Sequence, residues 1–364
     1  LYLRSWDMKS NYDILGNHIR LIDTRNRESI TDRVLGINID KFFMPSVANV
    51  IGTDLSKYKL ITKGKFACNP MHVGRDERLP VALYDEEKPA IVSPAYFMFE
   101  VIDNSILNED YLMMWFRRPE FDRICWLHTD GSVRGGITWD DICRLELPIP
   151  PIENQLEIVN SYKAITERIA LKQKINDNLD DTAQTLYQKY FESNSDKSSW
   201  KQGTVGDVLQ LQRGHDLPRT EMTGGKYPVA GSTGTIGYHD EFTAEAPVIV
   251  MGRSGNIGNP RLYLCNCWTH NTSLYVKQIY EAEPLWVFYL LKNLNYDGFV
   301  GGSAVPTLNR NDVHAYGIAI PPLELQKSFS QKVMSLIYCK EENLSEIEKL
   351  QELQKIILTT MSSR

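Results

Sequence analysis

A chain that writes the same punctuation twice is expected to build the same structure twice. Residues 131–155 read GSVRGGITWDDICRLELPIPPIENQ, and residues 302–326 read GSAVPTLNRNDVHAYGIAIPPLELQ. A shift of 171 residues superposes them without a gap. Gly131/Gly302, Ser132/Ser303, Asp141/Asp312, Ile149/Ile320, Pro150/Pro321, Pro151/Pro322, Glu153/Glu324 and Gln155/Gln326 are identical. Eight identities in 25 positions would prove little alone, but Ile137/Leu308, Ile142/Val313, Leu147/Ile318 and Ile152/Leu323 also keep apolar residues in register. Upstream, LGNHIRL (15–21) parallels VGDVLQL (205–211). A period this long is a duplicated domain; a solenoid unit repeats every 20–50 residues or so.

Each copy of the motif runs into a long charged stretch with no internal Pro or Gly. In the first, Tyr162, Ile165, Ile169, Lys172, Asn176, Leu179, Ala183, Leu186 and Tyr190 alternate steps of three and four. In the second, Val333, Leu336, Lys340, Asn343, Ile347, Leu350, Gln354, Ile357 and Met361 do the same. These are heptad seams. Pro150 and Pro151 stand just ahead of the first helix, where a missing N–H is harmless. About 40 residues at 1.5 Å each make a helix of roughly 60 Å. Both seams turn polar near the middle, at Lys172 and Asn176 and at Lys340 and Asn343. Antiparallel packing would set middle against middle, and polar seam residues fix register at a cost in stability. The alternative is that the seam breaks there and these residues are solvated.

The expected organisation is a globule over residues 1–150, a helix over 151–192, a polar linker over 193–204, a second globule over 205–322 and a second helix over 323–364. The class is α+β: two domains of mixed short strands and helices, alternating with two long helices that pair as an antiparallel coiled coil. In the first globule, strands are expected around Val34–Ile39, Lys65–Cys68 and Tyr96–Val101, and a helix over 109–126 that Pro119 breaks or kinks. The second globule reads as short strands and Gly-rich turns.

Of the 364 residues, 42% are apolar and 24% charged, ordinary for a soluble globular chain. No window approaches the 18 or so apolar residues of a membrane span. The opening LYLRSWDMKSNYD has no apolar core before a small-residue cleavage site, so no signal peptide is expected. It has no initiator Met; the expectation is a natural start at Met8 or a truncated chain. Six cysteines form no CxxC pair and read as reduced thiols of a cytoplasmic protein, with Cys265, Cys267 and His270 as a weak zinc alternative. The net charge of −6 argues against strong DNA binding by this chain alone, and leaves room for a subunit that contributes part of a shared surface.

Catalytic motifs are missing: there is no GxSxG, HExxH, Walker A loop or strand-borne GxGxxG. NPMH (69–72) differs from an adenine-methyltransferase motif, which needs a second Pro and an aromatic. Binding loops are plentiful. PVIVMGRSGNIGNPRLY (247–263) carries Arg253 and Arg261 and no acid, with Gly252, Gly255 and Gly258 allowing close backbone approach. Arg253, Ser254 and Asn256 are donors of the kind that hold phosphates or read base edges. QRGHDLPRT (212–220) adds Arg213, His215 and Arg219, and GSTGTIGYHDEF (231–242) ends on Tyr238 and His239. The first globule offers Arg25, Asn26 and Arg27, then Asn69, His72, Arg75 and Arg78, then Arg134. Any one such loop is more often a plain turn. The signal is that several occur in each of two duplicated globules.

Over essentially its whole length the chain resembles a specificity (S) subunit of a type I restriction-modification system. The resemblance rests on LPIPPIENQLEIV and AIPPLELQKSF at the domain–helix boundaries, and on FACNPMHVGR with AIVSPAYFMFEV in the first globule. It rests also on GSTGTIGYHDEF, VIVMGRSGNIGNPRLY, CWTHNTSLYV and GSAVPTLNRNDV in the second. The first copy departs from the last of these, reading GSVRGGIT, so Ser132 and Arg134 need not act as Ser303 and Val305 do. The resemblance implies a non-catalytic, sequence-specific DNA-binding subunit. Each globule would be a target-recognition domain reading a half-site of double-stranded DNA, and a non-specific spacer would separate the two half-sites. Two adenine methyltransferase (M) subunits would dock on the helices, and restriction (R) subunits would join for cleavage. No cofactor is expected in this chain; S-adenosylmethionine, Mg2+ and ATP would belong to the partners. The rivals are a specificity subunit of a fused restriction-methylation or related phage-defence system and, from another class, a coiled-coil scaffold that binds no DNA.

Overall fold

The computed structural model describes residues 12–361 apart from 49, 72, 130–134, 297 and 302–305. The chain divides into two compact units, Leu1–Leu171 with Glu346–Arg364, and Lys172–Ser345. Each unit holds one strand-rich domain and part of both long helices.

In the first unit, Tyr12–Ile14 pairs antiparallel with Glu146–Pro148 and so closes the domain on the segment that leads into the helix. One four-stranded sheet runs in the order Ile19–Leu21, Phe97–Val101, Lys65–Cys68, Val81–Tyr84. The other runs Phe43–Pro45, Val34–Ile37, Ala90–Val92, Lys59–Ile61. Phe66 and Phe99 stack at 5.0 Å between ring centres, and Phe116 meets both edge-on. The expected break at Pro119 is present: one helix runs Glu109–Phe116, and the next, Pro119–Leu127, takes Pro119 in its first turn.

One feature of this core had no signal in the sequence. Lys41 is 4% exposed, and its ammonium donates to Asp122 Oδ1 at 2.7 Å and to the Phe116 carbonyl, beside the Phe121 ring. Burial pulls the Lys41 pKa below the usual lysine value, against the opposing pull of Asp122. Asp122 Oδ1 also accepts from the Leu79 N–H at 3.0 Å.

The second unit repeats the scaffold. Lys201–Thr204, inside the stretch read as linker, is a strand that pairs antiparallel with Gly317–Ile320. A sheet runs Leu209–Arg213, Ser273–Ile279, Val248–Gly252, Gly258–Tyr263, and a smaller one runs Gly234–His239, Tyr227–Gly231, Trp268–Thr269. The second globule is more than strands and turns. PLWVFYLLKN folds as the helix Pro284–Asn293 and buries Leu285, Trp286, Val287, Tyr289, Leu290 and Leu291. An apolar run of this length carries no periodicity that tells a buried helix from a buried strand.

The repeated Gln now has a reason. Gln155 is fully buried; its Nε2 donates to the Ile106 and Pro150 carbonyls, and its Oε1 accepts from Asn108 N–H, the N-cap of a short helix. Gln326, 1% exposed, donates to the Pro321 carbonyl and accepts from Glu283 N–H, again at the N-cap of a short helix. The same amide therefore latches each long helix to its own domain.

The long helices run Ile152–Tyr187, continued by a π-helical turn Gln188–Glu192, and Leu323–Thr360. Every residue assigned to the two seams is buried or half-buried. In the first unit Val159 and Tyr162 pack with Ile357, Leu358 and Met361; in the second Ala183 and Tyr187 pack with Phe329 and Val333. The start of each helix thus meets the end of the other, which makes the pair antiparallel. Three of the four polar seam residues bond one another across the pair, and the fourth, Lys340, bonds Asp180. Asn343 Nδ2 donates to Asn176 Oδ1 at 2.9 Å, and Lys172 Nζ donates to Asn343 Oδ1 at 2.9 Å. Lys340 reaches Asp180 at 2.5 Å. Asn176 and Asn343 are 5% and 8% exposed, so they are bonded across the seam rather than solvated.

Replacing both Asn176 and Asn343 by Leu should raise the melting temperature and loosen the register, because an all-apolar seam tolerates sliding. Small-angle scattering with thermal unfolding tests this. A variant that keeps the dimensions and single sharp transition of the parent would remove the register role.

Candidate nucleic-acid interface

The nominated loops of the second domain converge on one turn, Thr269–Ser273. Gly214 N–H donates to the Ser273 carbonyl at 3.1 Å, and His215 N–H to the Thr269 carbonyl at 2.7 Å. Arg253 and Ser254 N–H groups both donate to the Thr272 carbonyl, at 3.0 and 3.3 Å. Ser232 N–H donates to Thr272 Oγ1 at 3.3 Å, and Asn256 Nδ2 to the Ser232 carbonyl at 3.3 Å. Arg261 lies over Gly234, where a Cβ would come within 3.1 Å of its Nη1. Arg213, His215, Arg253, Ser254, Asn256 and Arg261 therefore belong to one loop cluster. Arg219 and Tyr238 are exposed and make no side-chain hydrogen bond to it among the described residues.

Glycine makes the cluster possible through close contact within the chain itself. A Cβ at Gly252 would stand 1.5 Å from the Asn256 carbonyl oxygen, and one at Gly214 would stand 2.2 Å from that of His270. Gly255 and Gly258 take φ of +79° and +71°, the left-handed region that side chains disfavour.

His270 works as a strut. One ring nitrogen, Nδ1, faces Thr272 Oγ1 at 3.0 Å, and the other, Nε2, faces the Leu217 carbonyl at 3.3 Å. Burial pushes the Cys267 thiol up to about 12, while Cys265 is exposed. Neither arrangement is that of a ligand set. Among the described residues no group of three or more His, Cys, Asp or Glu is placed to hold a metal ion, and no helix is long and apolar enough to cross a membrane.

In the first domain four of the five nominated side chains that are described are used internally. Arg25 donates to the Lys57 carbonyl at 2.7 Å and pairs with Asp23. Burial raises the Asp23 pKa, but Arg25 and Lys59 together hold it below the usual carboxylate value. Asn26, fully buried, bonds the Thr31 and Leu55 carbonyls. Arg78 pairs with Asp40, and Asn69 accepts from Met71 N–H to form a turn. Arg27 is exposed with no side-chain partner among the described residues. The segment leading into Leu55 exposes Val47 and Ile51, 93% and 91% accessible. His72, Arg134, Ser132 and Ser303 lie outside the described residues, and so does the side chain of Arg75 in the short helix Val73–Asp76.

The hub of the second cluster is not legible in the sequence. Of its residues only His270 stands out there, as a weak zinc alternative; Thr269, Asn271, Thr272 and Ser273 lie inside the motif CWTHNTSLYV, and short polar residues in a turn carry no periodicity.

Comparison with known proteins adds the following. Residues 197–356 match the model of the type I restriction modification DNA specificity domain family. The Methanocaldococcus jannaschii protein assigned as the specificity subunit of the type I restriction enzyme MjaX is 22% identical, over 96% of this chain and 88% of that protein. The crystal structure of the S subunit of a type I restriction-modification system from M. genitalium superposes with a TM-score of 0.61 at 16% identity, over 97% of this chain and 96% of that one. A chain from a structural study of complex assembly in the type I R-M system gives 0.50 at 16% identity, over 98% of each chain.

Proposed function

We propose that this chain, a type I restriction-modification DNA specificity subunit, reads a bipartite target in double-stranded DNA and docks the partner subunits that act on it. The observation that carries the reading is the contrast between what the duplication kept and what it changed. The strand that closes each domain, the Gln latch and the long helix are the same in both halves. The second sheet and the loops differ: four strands in one domain and three in the other, with a Gly-rich loop cluster in the second. A common scaffold with two different loop sets suits a reader of two different half-sites. In the second domain Arg213, Arg253 and Arg261 supply the positive charge, and Ser254 and Asn256 supply neutral donors. The chain itself performs no reaction step in this reading. Adenine methylation belongs to two methyltransferase subunits using S-adenosylmethionine, and ATP- and Mg2+-dependent cleavage to the restriction subunits. Their positive surface would offset the net charge of −6.

A genome-wide map of methylated adenines, in cells with this gene intact and with it deleted, tests the reading. Loss of one gapped, two-block motif on deletion is the expected result. An unchanged map, together with no salt-dependent DNA binding by the complex reconstituted with its methyltransferase, would leave the scaffold reading in its place.

A further inference from the structure

The turn at the centre of the loop cluster spends one side chain on a carboxylate. Thr269, His270, Thr272 and Ser273 all use their polar groups on the turn and its neighbours. Asn271 instead holds a charge on the neighbouring loop: its Nδ2 donates to Asp216 Oδ1, the oxygen that Arg213 Nη2 also approaches at 3.5 Å. The other oxygen of Asp216 takes no hydrogen bond among the described residues, and the side chain is 73% exposed. A carboxylate is therefore held by two partners, on one oxygen, among the arginine-bearing loops.

Beside a polyanion that placement is costly unless the free oxygen meets a donor. Phosphates offer acceptors only. In the major groove the donors open to a carboxylate are the exocyclic amines, N4 of cytosine and N6 of adenine. We infer that Asp216, oriented by Asn271 and Arg213, is a specificity-determining residue of the second domain, and that its free oxygen accepts from the amine of a cytosine or adenine in that half-site. The inference rests on the DNA-reading function proposed above.

The test uses the full chain assembled with its methyltransferase subunits. Duplexes randomised across the target are selected for binding and sequenced, for the parent, Asp216→Asn and Asn271→Ala. The parent should select cytosine or adenine at one position of one half-site. Asp216→Asn keeps an oxygen for Asn271 and puts an NH2 group where the free oxygen was. That group pairs with the keto oxygens of thymine or guanine, so the preference should shift to those bases or weaken about tenfold. Asn271→Ala leaves the charge in place and frees the carboxylate, and should blur the same position. The other half-site reports that each complex is folded. An Asp216→Asn complex that selects the same bases while binding every duplex more tightly overturns the inference, since the carboxylate then only repels phosphate. A parent complex that selects nothing overturns the DNA-reading function itself.

Discussion

Gly252→Ala should abolish selection at one half-site and leave the other intact. The added Cβ would stand 1.5 Å from the Asn256 carbonyl oxygen, which is backbone and cannot rotate away. Gly252 is also paired to Ser273 on one side and Gly258 on the other. Relief of the overlap means rebuilding residues 253–257 and, with them, the donations of Arg253 and Ser254 to Thr272. A few kcal/mol of stability should go too, as for other substitutions that overpack a buried site. Thermal unfolding and selection from randomised duplexes measure the two effects. Unaltered selection would show that the loop reads nothing, whatever its arginines suggest.

Asp122→Ala is expected to cost the first unit about 3–5 kcal/mol, the usual penalty for leaving one member of a buried ion pair alone. Lys41 Nζ would keep only the Phe116 carbonyl and the face of Phe121, and the Leu79 N–H would lose its acceptor. The double replacement Lys41→Met with Asp122→Leu should recover most of that loss, because no charge is then buried. Denaturant unfolding of the three variants decides it. A loss under about 1 kcal/mol for Asp122→Ala would mean that water reaches the ammonium and screens it as it does surface pairs.

The two effects differ in what the sequence disclosed beforehand. The glycines of residues 247–263 were visible as a Gly-rich loop, but their reason was not. They read as room for a partner's approach; Gly252 admits the chain's own Asn256 carbonyl. The Lys41–Asp122 pair was invisible, because 81 residues separate its members and each alone looks like a surface charge. Arg25, Asn26 and Arg78 have the chemistry of ligand donors, and they bond Lys57, Leu55 and Asp40. Composition told which side chains could donate; only the packing told which were already engaged.

By itself the sequence determined the duplicated architecture, the two long helices and their seams; that Asn176 bonds Asn343 rather than water was decided by the packing. A helix closes its hydrogen bonds within four residues, so the face it buries is written in local spacing. A repeat adds an internal comparison that separates scaffold from loop. The tertiary structure alone decided that Lys201–Thr204 pairs with Gly317–Ile320, that PLWVFYLLKN is helical, and that the loops of Gly214 and His215, of Ser232, and of Arg253 and Ser254 meet at Thr269–Ser273. Strand pairing, loop docking and buried ion pairs join residues far apart in the chain, and their partners are chosen by which surfaces exclude water together. That choice is a property of the folded whole, and no window of the sequence contains it.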